Sequence, residues 1–331
     1  MRGMNTKTIL AFLGVFWVGV VAGFFGASWK SEHSVPREMS SQQVRQDGGY
    51  EYINPLLECE VADGMLDARK ENFHDELEEF VTKIRQENKV SEVAFYFRDL
   101  NNGPAFGLNL DSGFFPASLL KVPVLMAYYH LSESNPNLLQ AEVRFEKVME
   151  FGIDQTIVPR ESLTVGEVYR VDELLRRMIV FSDNQALFLL TSRLPLIEIK
   201  SLFAMLGADT RVLSDPEAKL SVKEYASFFR ILFNSSYLSR ENSEKALALL
   251  ATTDYRDALP AGVPDTITVS HKFGEAGTGS VERQLHDCGI VYFPGHPYLA
   301  CIMTRGENTE TLKEVIAQIS RFIYQKIDDQ Y

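Results

Sequence analysis

Apolar residues recur at helical spacing through most of the chain. Phe73, Leu77, Phe80, Val81 and Ile84 fall on one face of a helix over residues 67–88. Leu312, Val315, Ile316, Ile319 and Phe322 do the same over 309–328. Between them the pattern predicts five more helices, at 171–181, 185–193, 196–206, 221–234 and 239–251. Pro195 stands at the start of the third, where its missing N–H has no partner to lose. Strand character brackets this helical middle. Residues 91–100 carry Val93-Ala94-Phe95-Tyr96-Phe97, and the turn Asn101-Asn102-Gly103-Pro104 leads to a second strand ending near Leu110. Strands return at 266–272, 287–293 and 298–304, the last two joined by Pro294-Gly295-His296-Pro297. No internal repeat is present. Strands at both ends with helices between predict an α+β fold, not a βαβ series. One antiparallel sheet, its N-terminal hairpin beside the C-terminal strands, is flanked by helices, and the middle forms an all-helical subdomain.

The N-terminus departs from this pattern. Ile9–Ala27 is an uncharged, mostly apolar run of nineteen residues, with Arg2 and Lys7 before it and Lys30 after it. That length can span a bilayer, and basic residues on the short side keep that end cytoplasmic. The competing reading is a cleaved signal peptide, whose apolar region is about 7–15 residues, with Gly26-Ala27-Ser28 as a cleavage site. Under either reading the rest of the chain lies outside the cytoplasm: a single-pass anchor over 1–29, or a secreted protein. Residues 30–53 are polar, without an apolar period, and read as a tether; the folded domain then covers 54–331.

Net charge is 33 minus 45, or −12, with no basic cluster, which argues against nucleic acid as a partner. Three cysteines, Cys59, Cys288 and Cys301, are too few for a disulfide framework, though one bridge of unspecified pairing is possible. The six histidines are scattered, and no Cys/His spacing predicts a metal or cofactor site.

Candidate chemistry starts at Ser118-Leu119-Leu120-Lys121, a hydroxyl and an amine three residues apart in an apolar stretch. On a helix the two share a face, and a desolvated lysine can take the proton of a serine nucleophile. Alone, the pair also fits a capping serine with a snorkelling lysine. Ser182-Asp183-Asn184 lies between two predicted helices, where any of the three would serve as an N-cap. Lys272-Phe273-Gly274 closes an inner strand, or else is an edge-strand lysine before a turn glycine.

Together and in this order, Ser-x-x-Lys, Ser-Asp-Asn and Lys-x-Gly resemble the active-site set of class A β-lactamases and penicillin-binding proteins. The separations are 64 residues from Ser118 to Ser182 and 90 from Ser182 to Lys272. Tyr169–Leu175 and Leu259–Pro264 add to the resemblance, which covers about residues 54–331. It implies the β-lactamase/transpeptidase-like fold and a serine hydrolase opening a β-lactam or a D-Ala-D-Ala-type peptidoglycan amide. Ser118 would form an acyl-serine, Lys121 would be the base, and Ser182 would pass a proton to the leaving nitrogen. Asn184 would hold the acyl side chain, and Lys272, with Gly274 after it, would meet the substrate carboxylate. The resemblance also implies an oxyanion hole from the backbone N–H groups of Ser118 and Glu275.

Two departures shape the expectation. The family's water-activating glutamate has no match between Asn184 and Lys272, and the stretch 207–219 is short, with only Asp215 and Glu217 as nearby acids. Deacylation is therefore expected to be slow. Phe273 stands where the family has a hydroxyl residue, leaving Arg283 as a candidate partner for the substrate carboxylate. The alternatives are a sensor that stays acylated and an inactive interaction domain, the latter opposed by the complete set of reactive groups.

Overall fold

In the computed structural model, the structure describes residues 43–45, 49–59, 68–101, 105–150, 156–277 and 282–331. The apolar run at Ile9–Ala27 and the Asn102–Pro104 turn lie outside them. Among the described residues no helix is long and apolar enough to cross a membrane.

A five-stranded antiparallel sheet organises the rest. In chain order its strands are β3 (Glu92–Asp99), β4 (Ala105–Leu108), β9 (Val269–Ala276), β10 (Arg283–Val291) and β11 (Tyr298–Gly306). In space they run β4-β3-β11-β10-β9, so the N-terminal hairpin does pair beside the C-terminal strands. Three further pairs are short: β1 (Gln43–Arg45) with β2 (Leu56–Cys59), β5 (Gly113–Phe114) with β8 (Leu220–Ser221), and β6 (Glu142–Arg144) with β7 (Val168–Arg170). None of these was predicted, because two to four residues are too few to show an alternation.

Side chains alternate across the sheet and feed two cores. On one face Val93, Phe95, Phe97, Leu285 and Ile302 are buried against α1 (Ala68–Glu87) and α8 (Thr309–Asp328), which contribute Leu77, Val81, Val315, Ile316 and Ile319. On the other, Ala94, Cys288, Ile290 and Met303 meet the helical subdomain. This comprises α2 (Lys121–Ser134), α3 (Val171–Val180), α4 (Asn184–Thr191), α5 (Leu196–Leu206), α6 (Val222–Phe233) and α7 (Arg240–Ala251). Each large apolar side chain buried this way contributes about 1.5–3 kcal/mol, so the two layers hold the sheet from both sides. Cys288 and Cys301 face each other across β10 and β11 and form a disulfide.

Residues 51–53, the last of the polar stretch, are held in place. The Glu244 carboxylate on α7 accepts the backbone N–H groups of Glu51 (2.7 Å), Tyr52 (3.0 Å) and Ile53 (3.0 Å).

Two predicted placements need correction. Lys272 does not close an inner strand: it lies in the middle of β9, which is an edge of the sheet. The apolar run there extends past Lys272 because the buried residues continue through Phe273 and Gly274. Gly274 is thus a strand residue and not a turn. Ser118 sits not on an α-helix but in the 3₁₀ turn Ala117–Leu120 that leads into α2. At three residues per turn, positions i and i+3 are eclipsed, which brings Ser118 and Lys121 closer in line than an α-helix would.

β9 and β10 approach so closely at Gly289 that an added Cβ would lie 2.4 Å from the Ser270 carbonyl oxygen and 2.5 Å from His271 Cβ. Gly289→Ala should therefore destabilise the protein by about 1–3 kcal/mol through overpacking, measured as a lower midpoint in denaturant. An unchanged midpoint would contradict the tight β9–β10 contact.

Candidate active site

The open edge of β9 packs against the turn that carries Ser118. A Cβ on Gly274 would stand 3.0 Å from both the Pro116 carbonyl oxygen and Leu119 Cγ, so only glycine lets the strand come this near without a shift. The turn is also pinned from β10. Phe115 N–H donates to Gln284 Oε1 at 3.0 Å, and the Phe115 carbonyl faces His286 Nε2 at 3.1 Å. Thr304 N–H donates to His286 Nδ1 at 3.3 Å, which leaves the ring proton on Nε2 to be donated to Phe115. Burial lowers the His286 pKa to about 3, so the ring is a neutral spacer. From the helical side, Tyr225 Oη donates to the Leu119 carbonyl at 3.0 Å.

Two residues without the freedom of glycine hold positive φ here, Ala117 at 45° and Ser182 at 56°. Such a conformation costs of order 1–3 kcal/mol and persists only where its surroundings enforce it. Ser182 is followed by Asp183, whose carboxylate accepts Gln185 N–H at 2.7 Å and Ala186 N–H at 3.3 Å and so caps α4. The cap explains why an acid lies between Ser182 and Asn184 without reaching the reactive groups.

Four of the seven predicted site residues meet at one nitrogen. Lys121 Nζ is 2.9 Å from Ser118 Oγ, 2.9 Å from Ser182 Oγ, 2.6 Å from the Ser182 carbonyl and 2.8 Å from Asn184 Oδ1. An ammonium has three protons for these four oxygens, whereas a neutral amine can turn its lone pair to one hydroxyl. Lys272 Nζ approaches from β9 and donates to Ser182 Oγ at 3.0 Å and to the Phe273 carbonyl at 3.1 Å. Both lysines are fully buried. Burial lowers the Lys121 pKa to about 7, with Asp183 pulling the other way. Lys272 is pushed well below the ordinary lysine range, by burial first and then by the charge of Lys121, with Asp287 opposing. Two amines flanking one hydroxyl, with no carboxylate among the described residues in ion-pair contact, resist being charged together.

Glu275 plays a part its sequence position did not suggest. Its carboxylate accepts Thr156 N–H at 3.0 Å and Ile157 N–H at 3.2 Å, along with the Thr156 hydroxyl. This ties the segment after β6 to the edge strand beside the site. Arg283 opens β10 with Nη1 on the Gly277 carbonyl at 3.1 Å. Three residues missed from sequence, Gln284, His286 and Asp287, sit within an otherwise apolar strand. Polar groups in a buried run are the signal that could have marked them. Asp287 Oδ1 pairs with His271 Nδ1 at 2.8 Å, and its Oδ2 accepts Leu259 N–H at 3.0 Å, which places a buried carboxylate behind Lys272.

A serine, a desolvated amine in contact with it, and a second serine bridging to a second lysine define a serine hydrolase of the lysine-activated kind. The chain belongs to the beta-lactamase enzyme family, whose model matches residues 75–327. Solved structures with the same fold include PBP-A, at 23% identity and a TM-score of 0.66 over 78% of this chain and 96% of that one. A mutant of PBP-A, solved as an acyl-enzyme complex with penicillin G, matches at 24% identity and a TM-score of 0.65, covering 78% and 97%. A beta-lactamase from Chitinophaga pinensis matches at 21% identity and 0.67, covering 76% and 99%. No curated protein matches the chain.

The lowered pKa of Lys121 gives the pH dependence a sign. The amine is protonated, and unable to accept a proton from Ser118, below about pH 7, and free above it. Acylation by a β-lactam should therefore speed up with rising pH along a limb centred near 7, a macroscopic property of the two coupled lysines. Lys121→Arg should slow acylation by about 10²-fold or more and abolish the limb. Stopped-flow or quenched acylation rates from pH 5 to 9 test this; a flat profile would exclude Lys121 as the base.

Proposed function

We propose that the protein is a membrane-tethered serine hydrolase that opens a β-lactam or a D-Ala-D-Ala-type cell-wall amide and releases the acyl group slowly. Residues 1–29 are the anchor, 30–53 the tether and 54–331 the catalytic domain, with that domain outside the cytoplasm. The Cys288–Cys301 disulfide supports an oxidising compartment, since such bonds persist mainly outside the reducing cytoplasm. Secretion after signal cleavage is the alternative to tethering.

The observation that carries the reading is the contact set of Lys121 Nζ, which joins Ser118, Ser182 and Asn184 in one buried cluster. Ser118 Oγ attacks the carbonyl carbon while Lys121 takes its proton. The amide C–N bond then breaks, and the proton reaches the leaving nitrogen through Ser182, whose hydroxyl touches both lysines. The N–H groups of Ser118 and Glu275 supply the oxyanion hole, Asn184 and Lys272 bind substrate, and Gly274 allows the close approach of the strand. The second step has no equivalent base among the described residues. Among the described residues no carboxylate bonds to Ser118 or Lys121. Of the acids in the short stretch after α5, Asp209 accepts Arg211 N–H at 2.9 Å and Asp215 accepts Glu217 N–H at 2.9 Å, while Glu217 is exposed. A penicillin adduct on a mutant of PBP-A is a precedent on this fold for an acyl-enzyme that can be captured.

Slow release also suits a sensor that signals while acylated, and one experiment separates the two. Intact mass followed over time with benzylpenicillin should show one adduct per chain, absent from Ser118→Ala, that decays over minutes to hours. No adduct would refute the acyl-serine reading, decay within seconds would refute slow release, and an adduct that never decays would favour the sensor.

A further inference from the structure

The outer face of α5 is at odds with its composition. Between Leu196 and Leu206 the only charged residues are Glu198 and Lys200, and a helix apolar all round is ordinarily covered all round. Here one side is covered: Ile199, Leu202 and Phe203 are buried in the core of the helical subdomain. At about 100° per residue, the other half turn carries Leu196, Lys200, Ala204, Ile197, Ser201 and Met205, in that order around the axis. Leu196, Ile197 and Met205 are 46%, 62% and 55% exposed. Among the described residues no other leucine, isoleucine or methionine is exposed.

The charge of this face also departs from that of the chain, whose net value is −12. Lys200 stands within it and the exposed Arg193 just before it, and neither makes an ion pair with a described residue. The one acid, Glu198, lies at the border and acts on Tyr237, whose hydroxyl is pushed up to about 12 by burial first and then by the charges of Glu198 and Glu133. Tyr237 belongs to the connection between α6 and α7. That connection begins at Phe233, whose carbonyl accepts Asn54 N–H at 3.0 Å. The first turn of α5 and the point where the N-terminal chain joins the domain are therefore neighbours around one connection.

Size, charge and the incoming chain together select what covers this face. A stable interface between two copies takes about 20–30 residues a side, and a single half-turn of α5 falls well short of that. A lipid surface needs no matching partner: apolar tips enter the acyl boundary while basic side chains stay among anionic headgroups. The proposed anchor ends at residue 29, and β1 starts at Gln43. Residues 30–42 reach at most about 45 Å when fully extended, less than the roughly 50 Å width of a folded domain of this size. A domain held on so short a lead stays at the surface, so a weak contact is enough to orient it. We propose that α5 is a second membrane contact, with Leu196, Ile197 and Met205 entering the outer surface of the lipid bilayer and Lys200 and Arg193 meeting anionic headgroups. The proposal rests on the anchor reading above and concerns a surface separate from both the anchor and the reactive cluster.

The test uses the full chain with Cys59→Ala, a nitroxide attached at Ile197→Cys, and vesicles of phosphatidylcholine with or without phosphatidylglycerol. A label at Lys83→Cys, an exposed position on α1, is the reference. Collision with oxygen against a water-soluble nickel chelate should place the Ile197 label in lipid in the anionic vesicles and the Lys83 label in water. The ratio of immersed to free spectral components should fall about fivefold with Lys200→Gln, the loss of one cation at a charged surface, and only where phosphatidylglycerol is present. An Ile197 label that stays in water in both vesicle types, or a ratio that Lys200→Gln leaves unmoved, would overturn the contact. Spin–spin broadening that disappears on dilution with unlabelled chain would reveal a second copy on this face and overturn it as well. If alkaline carbonate washes the chain off the vesicles, the anchor reading has failed, and sedimentation of the unanchored chain with anionic vesicles decides the α5 contact. Retention that is lost when Ile197→Ser and Met205→Ser are combined would sustain it, and no retention would overturn it.

Discussion

Two lysine amines are buried around one serine hydroxyl with no carboxylate among the described residues bonded to either, and the rest of the site follows from keeping them there. Lys121 comes from the start of a helix under the sheet, Lys272 from the sheet's edge, and Ser182 from the connector between two helices. A buried charge without a partner is expensive, and the inexpensive state of this cluster has a proton missing. On the proposed reading, that missing proton is what would let one amine act as a base. The arrangement opposes stability, since removing charge from solvent without an ion pair gains nothing for the fold, and it is tolerated because two hydrophobic cores grip the sheet from both faces.

The same demand explains the strained backbone. Ser182 and Ala117 sit at positive φ, one beside each half of the cluster. Each is over-determined by its neighbours: Ser182 by the Asp183 cap of α4, Ala117 by the bonds that hold Phe115 to Gln284 and His286. The unpaired edge of β9 matters for a related reason. An inner strand would have both rows of backbone groups committed to neighbours, while an edge strand keeps one row free to face substrate. The turn bearing Ser118 covers that edge locally.

Much of this was legible in the residues, and the limits have physical causes. Helix positions were readable because their apolar period is long; α5 and α8 match the predicted ranges end to end. The pairing of the N-terminal hairpin beside the C-terminal strands followed from strands lying at both ends of the chain. The reactive set was readable because Ser118, Lys121, Ser182 and Lys272 are reactive types at ordered separations, and the structure brings them within hydrogen-bond reach. Whether Lys272 lay at an edge could not be read, since a strand buried on both faces looks the same in either place. The 3₁₀ turn differs from an α-helix by one hydrogen-bond offset that four residues do not encode. The pairing of Cys288 with Cys301 needed the strand register. The Glu275 contact to Thr156 and Ile157 spans more than a hundred residues of sequence and leaves no local trace.

On the proposed reading, attack and release draw on different parts of the molecule. Every group for attack lies on the sheet, on a helix start or on a capped connector, elements whose positions are over-determined by packing. The group for release would come from the stretch between α5 and α6, a surface connection whose length can change with little thermodynamic consequence. Here that stretch is short, and its ordered acids serve local turns: Asp209 pairs with Arg211, and Asp215 folds back on Glu217. The capping box that follows, Ser221 with Glu224, occupies the next carboxylate. On the proposed reading, the ordered acids of this stretch are committed to its own turns, while the frame around Ser118 stays intact. On that reading, packing of the scaffold positions the groups around Ser118, and the loop residues bear on how long an acyl group would stay there.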